Sequence, residues 1–127
     1  MNYIHPQVNK ILKQNISIQV SLNGFSFSIK LPVDNTILAF KDINPQAPVH
    51  ILIIPKIEIP KVTDIKGKEH AVLLGEMIDV ANKLAKERSI DNDGFRLVFN
   101  CGQNAGQDVY HLHMHLLGGR KMTWPPG

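Results

Sequence analysis

The residues most able to do chemistry lie near the end of the chain, in Tyr110-His111-Leu112-His113-Met114-His115-Leu116. Side chains alternate across a strand, so Tyr110, Leu112, Met114 and Leu116 are expected on one apolar face packed on the core. His111, His113 and His115 then line the other, exposed face, where packing gives no reason for imidazoles. Two chemistries use such a row. Alternate strand histidines can supply zinc ligands. Alternatively, a neutral imidazole attacks a phosphate while a neighbour supplies charge or a proton. Metal sites orient their histidines with carboxylates, and the acids on offer are Asp108, close in sequence, and Asp42. Phosphate chemistry also wants backbone N–H groups, which the loop Gly102-Gln103-Asn104-Ala105-Gly106-Gln107 can offer.

The elements that position this segment are legible from patterning. Residues 5–16 suit a short helix, with Val8, Ile11 and Leu12 near one face. Ile16, Ile18, Val20 and Leu22 alternate with polar residues, as do Phe25, Phe27 and Ile29, and Asn23-Gly24 between them signals a hairpin. Strands are expected at 38–42, 50–55, 95–100 and 108–117. Pro45 and Pro48 hold the connection between the first two as a fixed loop. Leu73, Leu74, Met77, Ile78, Ala81, Leu84 and Ala85 recur at helical spacing within a long helix over 66–89, which the turn Asp91-Asn92-Asp93-Gly94 follows. The tail Trp124-Pro125-Pro126-Gly127 suits neither a helix nor a central strand. The sum is one α+β domain, an antiparallel sheet with helices on one side.

Composition excludes several classes. The chain is 127 residues long, which suits a single domain. Its longest aliphatic stretch, Ile51 to Ile54, is far short of a membrane span, and no basic segment followed by an apolar run opens it. The single cysteine, Cys101, cannot form an internal disulfide, which points to a reducing, cytoplasmic home. A net charge of +3 mildly favours anionic ligands. The lysines are scattered, so nucleic acid is not the expected partner.

His111-Leu112-His113-Met114-His115-Leu116-Leu117 resembles the signature of the histidine triad (HIT) family, in which histidines alternate with apolar residues. Three further blocks resemble its Hint branch, the purine nucleoside phosphoramidases: Ala39 through His50, Arg96 through Asn100, and Leu117-Gly118-Gly119-Arg120 through Trp124-Pro125-Pro126-Gly127. The resemblance runs from about Asp34 to Gly127, leaving 1–33 as a divergent N-terminal segment and 120–127 as a tail. It implies a HIT-like fold: a five-stranded antiparallel sheet with one long and one short helix, here with an added N-terminal hairpin. It also implies hydrolysis of AMP or GMP joined to an amine, through a nucleotidyl-histidine, with no cofactor or metal. His113 then matches the nucleophile, and His115 the residue that contacts the phosphate and assists the leaving group. His111 matches the residue that orients the nucleophile through its carbonyl, and His50 the one that extends the network. Asp42 matches the acid on the ribose hydroxyls, with Phe40 and Ile43 beside the base. Asn100, Gly106, Gln107 and Asp108 match the phosphate-side loop. The resemblance further implies a homodimer with the long helix in its interface and Trp124 reaching the partner's site.

Three features depart from the family pattern. Asp108 stands where many members carry a serine that donates to the phosphate, and an ionised aspartate repels phosphate. Glu58 replaces a histidine of animal relatives. About ten extra residues precede Ala39. A nucleotide-binding regulatory protein with negligible turnover is therefore the alternative reading, and a zinc protein using the three histidines a third.

Overall fold

Val49–Pro55 is the strand on which the rest is built. It is almost wholly aliphatic, and His50 through Pro55 are buried. A run of that kind belongs at the centre of a sheet covered on both faces. The computed structural model describes residues 19–22, 25–28 and 36–127. In chain order the strands are β1 (Gln19–Leu22), β2 (Phe25–Ser28), β3 (Ile37–Lys41), β4 (Val49–Pro55), β5 (Phe95–Val98) and β6 (Met114–Gly118), with one long helix, α1 (Gly67–Glu87), between β4 and β5. The main sheet has the order β3-β4-β6-β5, and every pair in it is antiparallel. β1 and β2 form a separate antiparallel hairpin, as the alternation predicts. Its Asn23-Gly24 turn and the short helix expected at 5–16 lie outside the described residues.

The register divides the sheet into two faces. Ile51 opposes Leu116, and Ile53 opposes both Met114 and Ala39. These residues meet α1, which contributes Met77, Ala81 and Ala85, all fully buried at four-residue intervals. Leu73, Leu74, Val80 and Leu84 widen that stripe. α1 has no side-chain N-cap from Lys66. Instead the Lys66 N–H donates to His70 Nδ1 at 2.9 Å, satisfying one donor of the first turn. The opposite face carries Leu38, Phe40, Leu52 and Ile54, all buried, together with His50 and His115. None of the helices among the described residues is long and apolar enough to cross a membrane.

The main sheet has four strands among the described residues, antiparallel as the family resemblance implies. One expectation changes: the last strand begins at Met114 rather than near Asp108. Continuing the β4–β6 register would set Leu112 opposite Pro55, which has no N–H to give the ladder. Leu112 N–H instead donates to Ile59 O at 2.6 Å, in the chain beyond β4. Tyr110 is half exposed and does not join the apolar face, whereas Leu112, Met114 and Leu116 do.

β6 ends tightly against the turn after α1. A Cβ on Gly118 would stand 2.5 Å from Ile90 Cδ1. Gly118→Ala should therefore lower stability by roughly 1–3 kcal/mol. Adding Ile90→Val, which deletes that Cδ1, should recover part of the loss in a double-mutant cycle read by chemical denaturation. Strict additivity would show that the contact is not the cause.

Candidate active site

The β4–β6 register sets Leu52 opposite His115 and His50 opposite Leu117. His50 and His115 are therefore diagonal neighbours on one face, within side-chain reach. Their rings lie 5.1 Å apart, and Nε2 of His50 meets Nδ1 of His115 at 2.8 Å. His113 stands on the other side of His115, with ring centroids 5.1 Å apart and planes at 65°. His111 and His113 are buried, not exposed as a strand face would leave them.

Backbone groups decide where each imidazole holds its proton. A carbonyl only accepts. His111 Nε2–H therefore donates to Pro55 O at 2.7 Å, and His113 Nδ1–H donates to the His111 carbonyl at 2.8 Å. Neutral His113 consequently carries its lone pair on Nε2. His50 meets the converse constraint. The Gln46 N–H donates to its Nδ1 at 3.0 Å, so the proton of neutral His50 sits on Nε2 and is given to His115 Nδ1. His115 then presents Nε2–H. Adjacent rings thus offer a nucleophilic nitrogen and a donor.

Electrostatics keeps both donor rings neutral. Burial pulls the His115 imidazole down from 6.5 to about 4, helped by His113 and His50 and opposed by Asp42. Burial also lowers His50, against the pull of Asp42. Asp42 Oδ2 lies 3.4 Å from His50 Nε2, while Oδ1 accepts the Asn44 N–H at 2.8 Å and closes a turn. Asp42 is both turn residue and site neighbour.

The remaining residues divide. Phe40 is buried opposite Leu52, in the same cross-strand row as His115. Ile43 is 58 % exposed and Trp124 83 %, so neither is a core residue. Asn100 is half-buried at the start of the loop after β5, and Asp108 is exposed. That loop turns at Gly102 and Gly106, both with positive φ. Its amides are less available than the sequence suggests. Gly106 N–H donates to Gln103 O, Gln107 N–H to Gly102 O, and Gly102 N–H to Gln107 Oε1. Gln107 Nε2 donates to Pro60 O and Val109 O, so its buried side chain serves the loop's shape. Sequence reasoning missed Gln46 and this use of Gln107.

Among the described residues, Asp42, His50 and His115 could converge on a cation, with ligand atoms within 4.8 Å of one another. The donor set does not fit. A metal-bound imidazole turns its second nitrogen, as N–H, towards an acceptor. The second nitrogen of His50 faces the N–H of Gln46 instead. Neither His111 nor His113 is among the residues whose ligand atoms converge there, and each gives one ring N–H to a carbonyl.

Comparison with known proteins gives a concordant result. The family model "HIT domain" matches residues 28–122. The chain is 55 % identical over 89 residues to the purine nucleoside phosphoramidase of Escherichia coli strain K12, covering 70 % of this chain and 74 % of that one. It is 52 % identical over 95 residues to the 14 kDa zinc-binding protein of Zea mays, covering 74 % and 73 %. A crystal structure of a HIT family hydrolase from Legionella pneumophila Philadelphia 1 superposes with a TM-score of 0.76 at 45 % identity, covering 93 % of this chain and 96 % of that one.

The depressed His115 value has a sign that can be checked. The unfolded chain takes a proton on this residue at 6.5 and the folded one only near 4. Stability should therefore fall as pH drops from 6.5 towards 4, and this group should contribute no slope above that window. His115→Gln should flatten the decline in denaturation midpoints. NMR titration should place the wild-type ring near 4, and an ordinary value would contradict the burial argument.

Proposed function

The chain belongs to the HIT domain family, and on that premise we propose that it hydrolyses nucleoside 5'-phosphoramidates, purine nucleoside monophosphates such as AMP or GMP joined to an amine. The observation that carries this reading is the hydrogen bond from His113 Nδ1 to the His111 carbonyl, which leaves the nucleophilic lone pair on Nε2 beside a donor-presenting His115. The similarity to a purine nucleoside phosphoramidase supports the substrate class.

His113 Nε2 attacks the α-phosphorus. The P–N bond to the amine breaks as His115 Nε2–H protonates the leaving nitrogen, and the positive charge that His113 gains with its bond to phosphorus offsets the proton that His115 gives up. Water then attacks phosphorus, its proton returns to His115 Nε2, and the bond from phosphorus to His113 breaks to release the nucleoside monophosphate. Asp42 binds the ribose hydroxyls through its carboxylate, with Phe40 and Ile43 at the base and Asn100 and Asp108 on the phosphate side. Gly106 and Gln107 act by shaping the phosphate loop.

His113→Ala should reduce turnover of an AMP-amine substrate by about three orders of magnitude or more while nucleotide binding, read by calorimetry, persists. Comparable kcat would reject the nucleophile. Negligible turnover by the wild type would favour a nucleotide-binding regulatory protein, the reading that Asp108 motivates.

The same reading includes a homodimer. Among the described residues β5 is the last strand of its sheet, and Val72 and Ile78 on α1 stand exposed, as does Phe99 just past β5. That edge and these apolar helix positions favour a second copy as the cover. In that dimer the tail, tied down where Arg96 Nη2 donates to Thr123 O, carries Trp124 to the partner's site. Sedimentation should give twice the chain mass of 14.2 kDa, and a monomer at micromolar concentration would reject this part.

A further inference from the structure

The contact between His50 Nε2 and His115 Nδ1 is degenerate. At 2.8 Å either nitrogen can carry the proton. If His50 holds it, His115 presents Nε2–H. If His115 holds it on Nδ1, its Nε2 becomes a bare lone pair and the leaving group loses its donor. Two groups lift the degeneracy. Asp42 Oδ2 favours a proton on His50 Nε2, but from 3.4 Å, beyond good hydrogen-bond length. The Gln46 N–H acts directly, on His50 Nδ1 at 3.0 Å. A backbone amide cannot change role, so its position decides the pair.

That position is held from the far end of β6. Val49 pairs with Gly118, and the chain then turns at Gly119 with φ +87°. Gly119 lies so close to the β3–β4 loop that a Cβ on it would stand 2.9 Å from Pro48 Cβ. The next residue, Arg120, donates Nε–H to the Gln46 carbonyl at 3.1 Å, while its Nη1 donates to its neighbour Lys121 O at 3.2 Å. One residue, Gln46, therefore gives its N–H to His50 and its carbonyl to Arg120. The loop's other side is closed by Gln46 Nε2 on Asn44 O and by Asn44 N–H on Asp42 Oδ1.

We infer that Arg120 is a positioning residue: by holding Gln46 it fixes the tautomer of His50, and through it the Nε2–H that His115 offers to the leaving group. The effect on turnover rests on the phosphoramidase reading, whereas the effect on the tautomers does not.

The test uses the full chain with labelled imidazoles, in wild type, Arg120→Ala, Gln46→Pro and Gln46→Ala. NMR should show wild-type His50 and His115 protonated on Nε2. Gln46→Pro deletes the amide proton and Arg120→Ala frees its carbonyl, and both should mix the tautomers. Gln46→Ala retains the N–H and should retain the wild-type tautomers. With an AMP-alkylamine substrate, Arg120→Ala should lower kcat about tenfold. KM should stay within about twofold, because the lost interaction belongs to the transition state. With a nitrophenyl ester of AMP, whose leaving group needs no proton, kcat should hold. Should Gln46→Pro fail to fold, Arg120→Ala, at an exposed residue, decides alone. Wild-type His50 protonated on Nδ1, or unchanged tautomers and unchanged substrate ratios in Arg120→Ala, would overturn the inference. A wild type inactive on both substrates would reject the phosphoramidase reading and leave the NMR result to decide this one.

Discussion

The register of β4 against β6 is the constraint on which the rest depends. It sets Leu52 opposite His115 and Ile53 opposite Met114, so one face of the sheet becomes core and the other becomes site. A slip of one residue would send His115 under α1 and Met114 to the site face. Close packing guards against this, because Ile53, Met114, Met77 and Ala81 are all fully buried in a single cluster. The same apolar side chains that stabilise the fold therefore place His50 within hydrogen-bond distance of His115.

The candidate site holds neutral imidazoles, and backbone atoms select their tautomers. Pro55 O, His111 O and Gln46 N–H each meet one ring nitrogen. Carbonyls and amides cannot ionise or rotate as a side-chain partner would, so the proton arrangement belongs to the fold. Burial does the rest by disfavouring charge on His50 and His115. Pro55 has two uses in this scheme: it lacks the N–H that would continue the ladder, and its carbonyl anchors His111.

Local patterns were legible where the chemistry is local. Alternation in 16–29 yields β1 and β2, helical spacing yields α1 to within two residues, and the triad signature places His113 and His115 beside each other. What escaped the sequence is contact between distant segments. The start of the last strand depends on which residue faces Pro55, a register property that alternation cannot show. Gln107 reads as a ligand-side loop residue, yet Pro60 takes its amide proton from across the fold. Arg120 and Gln46 lie 74 positions apart, and neither has a local signature for their pairing. The row of histidines leaves both zinc and phosphate open, and the direction of the hydrogen bond at His50, invisible in a spacing pattern, bears on that choice.

The central claim is that His113 forms a covalent bond to phosphorus, and stereochemistry tests it directly. Each in-line displacement inverts the configuration at phosphorus, so two in succession restore it. An AMP-amine substrate made chiral by one sulfur on phosphorus, hydrolysed in heavy-oxygen water, should give a product of retained configuration. Inversion would mean that water attacks phosphorus directly, and would contradict the nucleophilic role that the hydrogen bond from His113 to the His111 carbonyl supports.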